Sequence, residues 1–248
     1  MATQIADIRS LVVRKIQDKA GFLTATVGGD LDAFIEEAVK EYSRARPRVM
    51  VEDETGDGGF DYQLTGTGGT NLLASWEKGF SEVRKLIHPV DDTSSTEKVV
   101  DEDDFAIITK VTGTPAEARD FLRFLAATPA STEKFRVFYA ARHVLNGTSS
   151  TLPAADDEAV ASLTAALACE ALAARYAGTK DASLDADSAD YRTRSTEYRQ
   201  LARQYHKAYL THMGIREEAT EPGQSVLVDL DLGFQWQRPF LFHGGRGR

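Results

Sequence analysis

Residues 156–213 constrain the fold more than any other stretch, because they read as two long helices joined by a short polar segment, Gly178 to Asp187. The first helix carries Ala159, Ala161, Ala165, Ala166, Ala168, Ala173 and Ala177. Alanine is the strongest helix former and its small side chain lets neighbouring backbones approach closely, so a tightly packed central helix is expected. Val160, Leu163, Leu167, Ala171 and Ala174 recur at three- and four-residue spacing and predict one apolar stripe against a partner. In the second helix Tyr191, Tyr198, Leu201, Tyr205 and Tyr209 make a mainly aromatic face, and Arg192, Arg194, Arg199, Arg203 and Lys207 a basic one. Taken residue by residue, that is a core stripe backed by a solvated stripe.

The chain before this pair supplies its partners. Ile5, Ile8, Val12 and Ile16 share one helical face, with Thr3 as the expected cap and Gly21 beyond the end. Leu31, Phe34, Ile35, Ala38 and Tyr42 mark a second helix from Asp30, its expected cap, to Ala45, stopped by Arg46-Pro47. Between Pro47 and Leu152 the texture changes to short runs of β-formers at 48–52, 60–64, 81–88, 105–111 and 134–140. They are punctuated by Gly56 to Gly59, Gly66 to Gly69, Pro89 to Asp92 and Gly113 to Pro115. Arg119 to Leu125 fits a strand or one helical turn and is read as strand. The expected fold is α+β: an antiparallel four-helix bundle with an inserted antiparallel β-sandwich and an extended C-terminal arm. The expected boundaries are 1–46 for the first helical pair, 47–152 for the β-rich insertion, 153–214 for the second pair and 215–248 for the arm.

Composition sets limits on chemistry. A hydrophobic share of 42% over 248 residues suffices for a real core. A net charge of −9 argues against a surface that binds nucleic acid throughout, while leaving room for a local basic face. Cys169, the single cysteine, sits in the alanine-rich helix and reads as a small buried hydrophobe, consistent with a reducing cytoplasm. No run approaches the roughly 18 consecutive apolar residues of a membrane span, and Met1 to Asp7 lacks an export signal, so no membrane partner is expected. His88, His143, His206, His212 and His243 are scattered, and no nucleophile elbow appears. Both glycine-rich turns lack the Gly-Lys-Ser/Thr ending of a phosphate loop. Acidic residues gather at Glu52 to Asp61 and at Asp101 to Asp104; Asp53, Thr55, Asp57 and Gly58 only faintly echo a calcium loop, and a solvated face is the expectation. No catalytic residue, metal or cofactor is expected, and the chain is not read as an enzyme.

The C-terminal residues are unlike the rest. Ser225 to Gly233 alternates, with Val226, Val228 and Leu230 on one side, and Phe234, Trp236, Phe240 and Phe242 make the next stretch strongly aromatic. This is read as an arm that adds a strand to a partner's sheet edge, the alternative being a last strand folded back on its own sheet. His243 to Arg248 is small and basic.

The order of an alanine-rich helix ending in Ala173-Ala-Arg-Tyr-Ala-Gly178, an acidic turn, then Ala186 to Ser195 and Glu197 to Tyr205 resembles the head-to-tail adaptor (connector) proteins of tailed bacteriophages. The likeness is densest over about sixty residues, with weaker echoes in the N-terminal helices and from Trp76 to Pro89. The resemblance implies a virion structural protein of the neck, made in the host cytoplasm. Many copies, commonly twelve, would form a homo-oligomeric ring below the portal protein, extending the DNA channel and meeting the next neck or tail protein, in non-specific proximity to packaged DNA. It implies that the arm residues Val226, Val228, Leu230, Phe234, Trp236, Phe240 and Phe242 engage the portal, and that the bundle helices, with Arg192, Tyr198, Arg199 and Tyr205, make subunit contacts. The nearest rival is a head-stopper or tail-completion neck protein. Rivals of other classes are a carbohydrate-binding module stacking sugar on Trp76 or Tyr62, and a DNA-binding factor using the last helix.

Overall fold

The computed structural model describes residues 3–16, 18, 21–65, 73–91, 98–112, 117–178 and 188–215, without the side chains of 188–193. The order is α1 (Ile5–Ile16), α2 (Asp30–Ala45), β1 (Arg48–Thr55), β2 (Asp61–Gln63), β3 (Val83–Ile87), β4 (Phe105–Thr112), β5 (Glu117–Phe124), β6 (Lys134–Ala141), α3 (Asp157–Gly178) and α4 (Ser188–Met213). Short 3-10 turns precede β4 (Glu102–Asp104) and α3 (Ala154–Asp156).

The helices form because apolar residues recur at the helical period, and they assemble around α3. Ile8, Val12 and Ile16 of α1 and Leu31, Ile35 and Ala38 of α2 join one core with Val160, Ala161, Leu163, Ala165, Ala168 and Cys169 of α3. The expected single stripe on α3 is corrected: through Cys169 the helix is buried nearly all round, Leu172 and Tyr176 are also buried, Leu167 is half-buried and Ala174 is exposed. Small side chains admit a neighbour on every side. Ala154–Gly178 has the length and hydropathy of a membrane span, yet 72% of its apolar 18-residue window is buried inside the fold. That is the position of a core helix.

The expected four-helix bundle is corrected as well. Among the described residues α1, α2 and α4 each pack on α3, and α1 with α2, whereas α4 is not packed along α1 or α2. The buried edge of α4, made of Ser195, Ala202, Tyr209 and Met213, is narrow, and α4 reaches α1 through Tyr205, whose hydroxyl bonds to the Lys15 carbonyl, rather than along a shared apolar face. The expected caps also differ. The Thr3 hydroxyl donates to Asp157 at the start of α3, and Gly29, not Asp30, precedes α2. Asp30 instead accepts from the backbone and hydroxyl of Thr24 (3.0 and 2.9 Å).

The strands lie between α2 and α3 in chain order and form two three-stranded antiparallel sheets, β1-β6-β3 and β2-β5-β4. Arg119 to Phe124 is strand, as read. Alternation explains the pairing: Phe135, Val137 and Tyr139 of β6 point inward opposite Glu54, Glu52 and Met50. Tyr62, Phe124 and Phe135 meet edge-on with ring centroids 4.8–5.7 Å apart. The expected β-sandwich is corrected to these two small sheets. Leu122 is fully buried, but Ile107, its partner on β4, is 40% exposed and Val111 is 69% exposed. Facing cover therefore reaches Phe105 at the start of β4 but not Ile107 or Val111.

Candidate functional site

The most connected polar group is Asp156, which ends the 3-10 turn before α3 and is 6% exposed. Tyr42, in the last turn of α2, donates its hydroxyl to Asp156 Oδ2 at 2.5 Å. Arg46, the C-cap of α2, reaches both carboxylate oxygens (3.2 and 3.3 Å). His212, in the last turn of α4, places Nε2 2.7 Å from Oδ1. His143, just after β6, packs edge-on against Tyr42 and donates its backbone N–H to Ser43 Oγ (3.0 Å). Its ring nitrogens lie 2.9 Å from the Thr151 carbonyl and 3.0 Å from the Arg46 carbonyl. One carboxylate thus ties α2, α3 and α4 together where the chain crosses between helices and strands. Burial pushes the Asp156 carboxyl up, but bonds from Tyr42 and His212 and the charge of Arg46 outweigh it and hold the group below its ordinary range. Burial and the adjacent carboxylate push the Tyr42 hydroxyl far up. Both oxygens are engaged by this chain, which makes the cluster a brace.

The other titratable groups are dispersed. Among the described residues no three His, Cys, Asp or Glu side chains are grouped to hold a metal ion. Cys169 is fully buried, and burial, with the charge of Glu170, pushes its thiol up to about 12, the wrong direction for a nucleophile. His88 pairs with Glu133 at 3.3 Å and packs on Phe124, and His206 is exposed on α4. The proposed sugar platform is occupied. Tyr62 is buried in the aromatic cluster, and Trp76 leans on Tyr139 while its indole N–H donates to the buried Asp120 (3.2 Å).

The pair α3–α4 presents a surface of a different kind. Ser195 donates to the Ala173 carbonyl (2.9 Å), and Tyr176 and Tyr198 stack with a 5.5 Å centroid separation and 5° between planes. Beside them runs an open groove of about 290 Å³ lined by Ala173, Ala174, Ala202, Glu170, Arg199 and Arg203. Arg199, Arg203 and Lys207 are exposed and lie at four-residue spacing on one stripe of α4.

Of the residues expected at subunit contacts, Arg199 is exposed beside this groove. Tyr198 is half-buried in the stack, and Tyr205 donates its hydroxyl to the Lys15 carbonyl (2.9 Å), both within the chain. The Arg192 side chain, the turn from 179 to 187, the glycine turns at 66–69 and 113–115, and every arm residue named above lie outside the described residues. The Asp156 cluster was not anticipated. Its partners stand 114, 110 and 56 positions away, so no local spacing announces it.

No family model and no curated protein matches the chain. Among solved structures it is similar to a chain from the neck of a native GTA particle computed with C12 symmetry. The identity is 15%, the match covers 80% of this chain and 93% of that one, and the TM-score is 0.23. At that score the likeness carries no weight for the arrangement or the role of this chain.

Proposed function

We propose that this chain is a non-enzymatic structural protein of a virion neck, a head-to-tail adaptor whose copies form a ring below the portal and continue the DNA channel. The observation that carries the reading is the α3–α4 pair. The stretch whose residues resemble the phage adaptors is also the stretch on which the helical part of this chain is built, since α1, α2 and α4 all pack on α3. The same pair leaves a charged, alanine-floored groove at the surface, suited to close helix-to-helix or helix-to-loop contact between copies. Scattered histidines and a buried, unactivated thiol favour a binding role over a catalytic one.

The test is retention on purified portal rings of the full-length chain and of a chain ending at Gly223, with electron microscopy of the complexes. The full-length chain is expected to bind as an added symmetric ring, and the shortened chain to bind at least about tenfold more weakly, the loss expected when clustered aromatic anchors are removed. Failure of both chains to bind would sink the adaptor reading.

A further inference from the structure

Two surfaces of the chain are complementary and lie in different parts of the fold. The first is the groove between α3 and α4, whose floor is Ala173, Ala174 and Ala202 and whose rim carries Arg199 and Arg203. Among the described residues neither guanidinium has a carboxylate partner, and Lys207 extends the stripe by one helical turn. Glu170 is the one acid on the rim. The second surface is the corner before β4. There Asp101, Glu102 and Asp103 are exposed on the 3-10 turn, and among the described residues none of the three is paired with a base. Asp104 N–H bonds to the Asp101 carbonyl (2.9 Å), and Leu125 N–H bonds to the Asp104 carbonyl (2.8 Å). These bonds hold Leu125, 53% exposed, against the acidic turn at the end of β5. The corner is thus an exposed acidic turn with an exposed leucine tied to its end, and the groove is an alanine-lined trough that Arg199 and Arg203 also line.

We infer that the α3–α4 groove of one copy receives the Asp101–Asp103 corner of the next, with Leu125 over the alanine floor and the carboxylates facing Arg199 and Arg203. This deepens the ring reading and rests on it. Because groove and corner are different surfaces of the same chain, the contact is heterologous, the kind that propagates head to tail and closes into a ring where its rotation allows. Arginine suits such a contact, since its planar fork takes a carboxylate through two bonds. The apolar floor favours a second copy over DNA as occupant, because the acidic corner brings a leucine to cover it and a duplex backbone brings phosphates alone. The −9 charge opposes both occupants at long range, and more strongly a duplex with its dense phosphate array than a copy whose acids can meet Arg199 and Arg203 locally.

The test uses the full-length chain on portal rings, comparing wild type, the double reversal Arg199→Glu/Arg203→Glu, the corner reversal Asp101→Arg/Glu102→Arg/Asp103→Arg, and one chain carrying all five changes. All five positions are exposed, and the unfolding midpoint of each variant checks its fold. Either reversal alone puts like charges at every contact and is expected to weaken assembly at least about tenfold. The five-fold variant, with the charges exchanged, is expected to recover it. If wild type assembles and the double reversal assembles equally well, or if the five-fold variant fails as badly as its parents, this contact is overturned while the ring survives. If the double reversal loses only salt-sensitive binding of duplex DNA, the stripe is a phosphate contact instead. Wild type failing to assemble on the portal would bring down both the ring and this contact.

Discussion

Replacing Asp156 by alanine tests the brace between helices and strands. The substitution strands the Tyr42 hydroxyl, which donates at 2.5 Å and belongs to a residue 1% exposed. Leaving a buried donor unsatisfied costs about 1–3 kcal/mol. The Arg46 and His212 side chains are 45% and 35% exposed, so losing their charge-assisted bonds adds less, about 1 kcal/mol together. The expected loss is therefore about 3 kcal/mol, or roughly 6–12 °C in Tm for a chain of this size. Tyr42→Phe, which leaves the carboxylate its other two partners, is expected to cost about 1 kcal/mol. The double variant is expected to cost less than the sum by about 1 kcal/mol or more, because the stranded hydroxyl is then gone. Urea unfolding followed by circular dichroism reads all three. A loss under about 1 kcal/mol for Asp156→Ala, or strict additivity with Tyr42→Phe, would refute the reasoning. The carboxyl is held below its unfolded value, so its contribution is complete above about pH 4 and is lost as pH falls through the lower, folded value. The variant's deficit should therefore shrink in acid.

The same logic applies on the outer face of the second sheet. There Arg123 bonds to Asp61 at 2.7 and 2.9 Å and Lys110 also reaches it, which lowers the carboxyl to about 2. Asp61→Asn should cost about 1 kcal/mol near neutral pH, discounted for solvent screening, and the difference from wild type should vanish between about pH 4 and 2 in acid titrations. Cys169, with its thiol raised by burial, should resist an aromatic disulfide reagent in the native protein and react once urea unfolds it; prompt native reaction would contradict the fold around α3. Ala165→Leu adds bulk at a fully buried position of α3 and should cost about 1–3 kcal/mol or more, measured by thermal unfolding, whereas Ala174→Leu on the exposed side should be nearly neutral.

Legibility in the sequence followed the strength of local periodicity. Ile8, Val12 and Ile16 repeat at helical spacing and became the buried face of α1, and the alternation in 119–124 became β5. Around α3 periodicity misleads for a physical reason. Alanine carries little hydrophobic contrast, so periodicity marked the stripe ending in Ala171 and Ala174 while packing selected Leu172 and Tyr176. Helical spacing also says nothing about how many neighbours a helix accepts, which is why a bundle was expected where three helices share one hub. For the surfaces, the basic stripe of α4 was readable because its residues are close in sequence. The groove they flank was not, since its floor combines Ala173 and Ala174 with Ala202 across the hairpin. The Asp156 brace depends on tertiary pairing alone.

The end of α4 has a mechanical consequence. After Met213 the helix closes with Gly214 at φ 72° and with the Ile215 N–H bonded to the Leu210 carbonyl (3.0 Å). His212, two residues earlier, grips Asp156. Unwinding α4 from its C-terminal end has to break His212 from Asp156, which Tyr42 and Arg46 also hold, before the helix pair need part. The brace is thus a stop against fraying, and a pull on the last turn of α4 is shared by three helices before any one of them peels away.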